Sequence, residues 1–418
     1  MLNRLLIVAC VLLFGADAAL AQTKVLRAAR MLDVNTGEVT GPARLLIEGD
    51  RIAAINPATL PADAEEIDLG DVTLLPGVMD MHTHLTMDLE GDWVRRTVTD
   101  TAVDSGLRGV RNARRTLMAG FTTVRNVGAG GFADISLKKA IDQDFFPGPR
   151  IVGAGHSLGI TGGHCDATGY KPGLLENDYR QGIADGVDEV TKAVRYQIKH
   201  GAGVIKACVT AGVLSFEGPV GAQQYNQEEL EAIVDEAALH GIKVAGHAHG
   251  AQGILAAVKA GFASIEHASI LNDEIIAEMK AHGTYLVPTT YLVGAIDLDN
   301  LPPPIRAKAE FILPLAVQSL QKAIREGLNI AYGTDAAVIP HGENGKEFAV
   351  LVDRGMTPLA AIQTATINAA DLLGVDDRGR LKEGLLADII AIPGNPLDDI
   401  SAMERVSFVM KGGKVYKE

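Results

Sequence analysis

The sequence predicts an α/β fold: a (β/α)8 TIM-like barrel joined to a small β-sandwich domain built from both chain ends. Three observations predict it. Residues 77–375 alternate short apolar strands with amphipathic helical stretches, and eight such strands can be counted. Residues 22–76 and 376–418 share another texture, short β-like runs separated by turn residues. Histidines, one lysine and one aspartate stand at the ends of the middle strands, which is where a barrel of this class carries its chemistry.

Residues 1–21 come first and differ from the rest. Arg4 precedes "LLIVACVLLFG", and "ADAALA" follows before Gln22. A basic start, a short apolar run and a small-residue ending read as a secretory signal peptide. The run is short for a membrane span. Cleavage is expected near Ala21, leaving an exported protein, periplasmic or secreted, with no membrane partner. The first part of the small domain then runs through "VLRAARML", "RLLIEGDRIAAI" and "DVTLLPG", with Gly49-Asp50 as one turn. "ADIIAIPG" and "VSFVMKGGKVYK" return the same texture at the C-terminus, so the two ends are expected to pair.

The barrel strands are expected at "GVMDMH", "FTTVRNV", "RIVGAG", "GVIKAC", "KVAGHA", "SIEHA", "YLVPTT" and "NIAYGTD". Helical stretches fall at 105–119, 188–200, 227–240, 250–260 and 303–326. In "NQEELEAIVDEAALHG", Asn226 can cap the helix, acids fill its first turn and Gly241 can end it. An open doubly wound sheet is the structural alternative, but it does not need eight units, and no GxGxxG follows a strand.

The 418 residues are 47% hydrophobic, enough to bury a large core. A formal net charge of −14 makes nucleic acid and anionic membrane surfaces poor partners. Beyond the leader only Cys165 and Cys208 remain, and each is expected to be a small buried packing residue, not half of a disulfide.

Strand ends select the candidate site. Strand 1 contributes His82 and His84, strand 4 Lys206, strand 5 His247, strand 6 His267 and strand 8 Asp335. Residues two apart on a strand face one side, so His82 and His84 can present two nitrogens to one metal while Thr83 faces away. Lys206 interrupts an apolar strand, where a buried ammonium must be paired, neutralised or chemically changed. One reading pairs it with an acid such as Glu266. The other has its neutral amine take up carbon dioxide as a carbamate able to bridge two cations, which the four strand-end histidines favour. Asp335 is the candidate proton acceptor from a metal-bound water. His164, in the Gly-rich "GITGGHCD", is placed to donate to a substrate carbonyl oxygen. His249 is either a supporting partner or the start of the next loop, and His156, His200, His240 and His282 look structural or exposed. The loop "TAGVLSFEGPVGAQQY" reads as a mobile lid. Tyr225 at its end and His341 in "IPHGENG" are candidates for a substrate carboxylate, with loop packing as the alternative.

The chain resembles the amidohydrolase superfamily across nearly all of its mature length. "LLPGVMDMHTHL", "GFTTVRNVG", "GVIKACVTAG", "VAGHAHG", "SIEHAS", "YGTDAA" and the closing "LKEGLLADIIAIPGNPLDDI" carry the likeness. The resemblance implies two divalent metal ions, zinc by donor type, with manganese or cobalt able to fill the same positions. It implies His82, His84 and Asp335 around the more buried metal, His247 and His267 around the more exposed one, and carboxylated Lys206 bridging them. "GITGGHCDATG", "HGENGKEF" and "GMTPLAAIQTATINAADLLG" are similar to the branch containing Xaa-Pro dipeptidases, carboxypeptidases, imidazolonepropionase-related proteins and ochratoxin A-degrading amidohydrolases. The implied substrate is a small-molecule amide or short peptide, and the implied assembly is a homo-oligomer, an octamer in relatives. Three rivals stand beside this reading: a mononuclear deaminase, a cyclic-imide hydrolase on the same scaffold, and an exported binding protein without activity.

Overall fold

The computed structural model describes residues 23–418, so the signal peptide expected at residues 1–21 lies outside the described residues. The chain ends do build one small β-domain. One sheet orders Arg51–Ile55, Ala43–Glu48, Lys24–Ala28 and Glu65–Asp68; the other runs from Lys414–Lys417 through Phe408–Lys411, Ile389–Pro393 and Val72–Pro76 to Arg30–Leu32 and Val39–Thr40. The two ends meet where Ile389–Pro393 pairs antiparallel with Val72–Pro76. Leu26, Leu45, Ile52, Leu74, Ile389 and Phe408 fill the space inside, as alternating apolar positions of two facing sheets should.

The middle of the chain forms the barrel. Its strands are β1 (Val78–Thr83), β2 (Phe121–Asn126), β3 (Arg150–Gly153), β4 (Ile205–Cys208), β5 (Val244–Ala248), β6 (Ser264–His267) and β7 (Tyr285–Val287). β1, β2 and β3 pair in parallel as one group, and β4 to β7 as another. The eighth strand expected at "NIAYGTD" is not a continuous ladder. Residues 329–336 close the ring through single parallel bridges, Leu286 to Ile330 on one side and Thr83 to Ala336 on the other. The second junction, between β3 and β4, is made by Leu158, which bridges to Ala207. Helices return the chain between strands. Asn226 caps Gln227–Leu239 with a reciprocal bond from Glu229, as its sequence foretold. Among the described residues no helix is long and apolar enough to cross a membrane.

One expectation fails here. Cys165 and Cys208 form a disulfide, with Cα atoms 5.9 Å apart across a separation of 43 residues. The Gly-rich run before Cys165 folds back onto the end of β4: a Cβ on Gly159 would meet the Cys165 side chain at 2.8 Å. Chain spacing cannot show such an approach.

Candidate active site

Every strand-end residue singled out in the sequence lies at one end of the barrel. The ring nitrogens of His82 and His84 stand 3.4 and 3.5 Å from Asp335 Oδ1. Ligand atoms of these three residues lie within 4.8 Å of one another, and so do those of His247, His249 and His267. Lys206, 3% exposed, is close enough to act electrostatically on all of them. His267 and Asp335 hold φ of 69° and 57°, left-handed values that non-glycine residues rarely adopt and that gather at functional sites.

The imidazoles share a pattern of support. His82 donates from Nδ1 to Glu266 Oε2 at 2.8 Å, and His84 from Nδ1 to the Gly128 carbonyl at 3.1 Å. His249 Nδ1 bonds the Ser269 hydroxyl at 2.7 Å, and His267 Nδ1 bonds the Thr289 hydroxyl at 2.8 Å. With Nδ1 engaged on each ring, Nε2 is left for another partner. Burial, reinforced by the Lys206 charge, pushes His84 down to about 4, while burial followed by the His164 and Lys206 charges pushes His249 down to about 3. Both rings are therefore neutral near pH 7, the form that binds a metal. His247 Nε2 is buried and meets no hydrogen-bond partner. An orphaned buried nitrogen among neutral imidazoles and a carboxylate is the donor set a divalent cation takes, so the residues present fit one.

Lys206 does not pair with Glu266. The two Glu266 oxygens are taken by His82 on one side and by Arg125 and Ser264 on the other, at 2.5–2.8 Å. Burial lowers Lys206 to about 8, which leaves more free amine near neutrality than an exposed lysine has. Burial also raises Asp335 to about 6, against the opposing pull of Lys206 and His164. Beneath the site, Asp80 accepts from the N–H groups of His82 and Thr334 and from Thr334 Oγ1 and Asn344 Nδ2. It joins β1 to the closing segment that carries Asp335.

His164 joins the group: its ring stacks on His247 with centroids 4.2 Å apart. Nδ1 contacts Ser215 Oγ at 2.6 Å and Glu217 Oε1 at 3.2 Å, so the loop after β4 holds this ring. The two candidate substrate contacts, Tyr225 and His341, are both buried. Tyr225 is 1% exposed in the main apolar core, and its hydroxyl has no partner. His341, close enough to His84 to act on it electrostatically, donates from Nε2 to the Met87 carbonyl at 3.0 Å, which ties the loops after β1 and residues 329–336 together. His200 and His240 cap helix ends, and His282 ends its helix. Arg125, Ser215, Glu217, Ser269 and Thr289 were not singled out in the sequence. Arg125, a cation inside the apolar run "FTTVRNV", was the one visible signal.

Comparison with known proteins identifies the family. Residues 73–416 match the Amidohydrolase family. An ochratoxinase of Aspergillus niger is 37% identical over 368 residues, 82% of this chain and 75% of that protein. A crystal structure of a Xaa-Pro dipeptidase with methionine bound in its active site superposes with a TM-score of 0.89 at 38% identity, covering 95% of this chain and all of that one. An imidazolonepropionase of Paracoccus denitrificans is 27% identical over 372 residues, 82% of this chain and 86% of that protein. The chain belongs to the amidohydrolase family and is a hydrolytic enzyme acting on amide bonds.

Proposed function

We propose that the protein cleaves amides whose amine side carries a free carboxylate. These are N-acyl amino acids, the C-terminal residue of short peptides, and ochratoxin A, split to ochratoxin alpha and phenylalanine. The observation that carries this reading is the pair of clusters, one with His82, His84 and Asp335 and one with His247 and His267, that lie within electrostatic reach of the buried Lys206. The likenesses to an ochratoxinase and to a Xaa-Pro dipeptidase favour this substrate class.

Two divalent cations, zinc by donor type, supply when bound a water whose pKa falls to about 7. The chain's own residues do the rest. Lys206, as the free amine, would add to carbon dioxide and release a proton, giving a carbamate whose oxygens would be further donors for the cations. His82, His84 and Asp335 would hold one cation; His247 and His267 would hold the other. His164, held at Nδ1 by Ser215 and Glu217, donates to the substrate carbonyl oxygen from a protonated Nε2. Asp335 accepts the proton of the attacking water and returns it to the leaving nitrogen, without which the C–N bond breaks poorly. Asp335→Asn is expected to keep its metal while turnover falls by about 10²–10⁴. A fully active variant would sink the proton path.

The imidazolonepropionase likeness favours a second reading, a cyclic amide as substrate at the same site. Zinc-reconstituted protein assayed with and without chelator separates the two. The panel is N-acyl amino acids, Xaa-Pro and other dipeptides, ochratoxin A and cyclic imides. Chelator-sensitive cleavage of acyclic amides supports the first reading, and cleavage of cyclic substrates alone overturns it.

Export to the periplasm or medium belongs to the same proposal. The basic-then-apolar start and the Cys165–Cys208 disulfide support it, since such bonds persist in oxidising compartments. A cytoplasmic chain that retains Met1 would count against it. A homo-oligomer, octameric by resemblance, is also proposed, and sedimentation at monomer mass would reject it.

A further inference from the structure

His249 has no part in the six-ligand set, yet the fold holds it more firmly than a packing residue needs. Its N–H donates to Thr210 Oγ1 at 3.0 Å, and its carbonyl accepts from Ile270 N–H at 3.0 Å. Its Nδ1 is committed to Ser269. The next residue, Gly250, touches the loop after β4 so closely that a Cβ there would lie 2.0 Å from the Gly221 carbonyl. His249 is therefore pinned from three sides, and only Nε2 is uncommitted.

The His249 ring lies among other imidazoles, 5.1 Å from His267, inclined by 14°, and 4.7 Å from His247, inclined by 86°. One ring nitrogen from each of the three falls within 4.8 Å of the others. Where Nδ1 of His249 and His267 donates to the Ser269 and Thr289 hydroxyls, each Nε2 keeps a bare lone pair, and His247 Nε2 is buried with no partner, which costs solvation without a compensating hydrogen bond. A cation placed among them removes that cost. A leucine would fill the same volume without it.

We propose that His249 is a third imidazole ligand of the cation held by His247 and His267. This rests on the metal-dependent reading above and adds to it. The site then has unlike halves: one of three imidazoles, the other of His82, His84 and the Asp335 carboxylate. Three imidazoles beside a carbamate oxygen favour zinc, cobalt or nickel over manganese more strongly than the carboxylate-containing set does. The two halves are therefore expected to fill in order and with different metals.

The test is metal binding, not turnover. Purified chain is stripped, titrated with zinc or cobalt, and read by atomic emission and by the cobalt ligand-field spectrum. His249→Ala is expected to bind the cation of the three-imidazole half at least about tenfold more weakly, to change the cobalt spectrum, and to leave the other half filled. His267→Ala should do the same, and His82→Ala should empty the opposite half. If His249→Ala fails to fold by circular dichroism, His249→Asn, which can still bond Ser269, takes its place. Wild-type metal content and spectrum in the variant, with a raised KM, would overturn the proposal and make His249 a substrate contact. A wild-type chain that takes up no metal would overturn the metal-dependent reading itself, an outcome distinct from a loss confined to the variants.

Discussion

Glu266 and His82 bury a carboxylate and an imidazole against each other, and Arg125 closes the set from the far side at 2.8 Å. Without the carboxylate, His82 is free to carry its proton on Nε2, where it would block a cation. Glu266→Gln is expected to weaken metal binding by about 10–100-fold, measured by competition with a chromogenic chelator. Unchanged affinity would mean that something else sets the tautomer. At this scale much of the site is legible in the sequence. A histidine, lysine or aspartate that ends an apolar strand is costly to bury, and its presence there points to chemistry. Glu266 and Arg125 also interrupt apolar strands. Only the fold shows that they answer each other, so the sequence could as well assign Glu266 to Lys206. His249 is visible in "HAHG", but the direction of its Nε2 is not.

Loops set the next scale. The loop after β4 is tied down by Lys308, which donates to the carbonyls of Gly212, Ser215 and Glu217 at 2.6–3.3 Å. Its near end touches His164: a Cβ on Gly212 would fall 2.1 Å from that ring. Gly212→Ala is therefore expected to displace His164 and cut turnover on the order of 10²-fold with metal content unchanged. Wild-type turnover would remove His164 from the reaction path. The sequence reads this loop as a mobile lid, yet the structure pins it by Lys308 and through Ser215 and Glu217 to His164. Across the barrel, Glu347 accepts from the N–H groups of Thr290 and Tyr291 at 2.8 and 2.6 Å, next to the Thr289 that orients His267. Burial raises Glu347 from 4.5 to about 8. Between those values the native state holds a proton that the unfolded chain releases, so this group's contribution to stability is lost as pH rises across that window. The loss is at most about 1.4 kcal/mol per pH unit. Glu347→Gln removes the titration, and its melting temperature is expected to vary less from pH 6 to 8 than that of the parent. An identical pH profile would show that Glu347 does not titrate there.

At the scale of the molecule, the barrel consists of two hydrogen-bonded groups of strands joined by short, irregular closures. The candidate metal site straddles that division. His82 and His84 belong to the first group, Lys206, His247 and His267 to the second, and Asp335 to the closing segment. Cations held there link the two groups and should stabilise the whole chain. Free zinc at about 100 times its Kd would contribute about 2.7 kcal/mol. Chelation is expected to lower the melting temperature and zinc to restore it; equal melting with and without metal would argue against a site that spans both groups. The repeating strand–helix pattern and the strand-end residues are local properties. They suffice for the barrel, the two-ended small domain and the choice of candidate side chains for the site. Which nitrogen each histidine turns inward, which acid answers which base, how the ring closes without an eighth ladder, and that Cys165 meets Cys208 depend on contacts between residues far apart in the chain. Periodicity carries no information about those distances, so only the tertiary structure decided them.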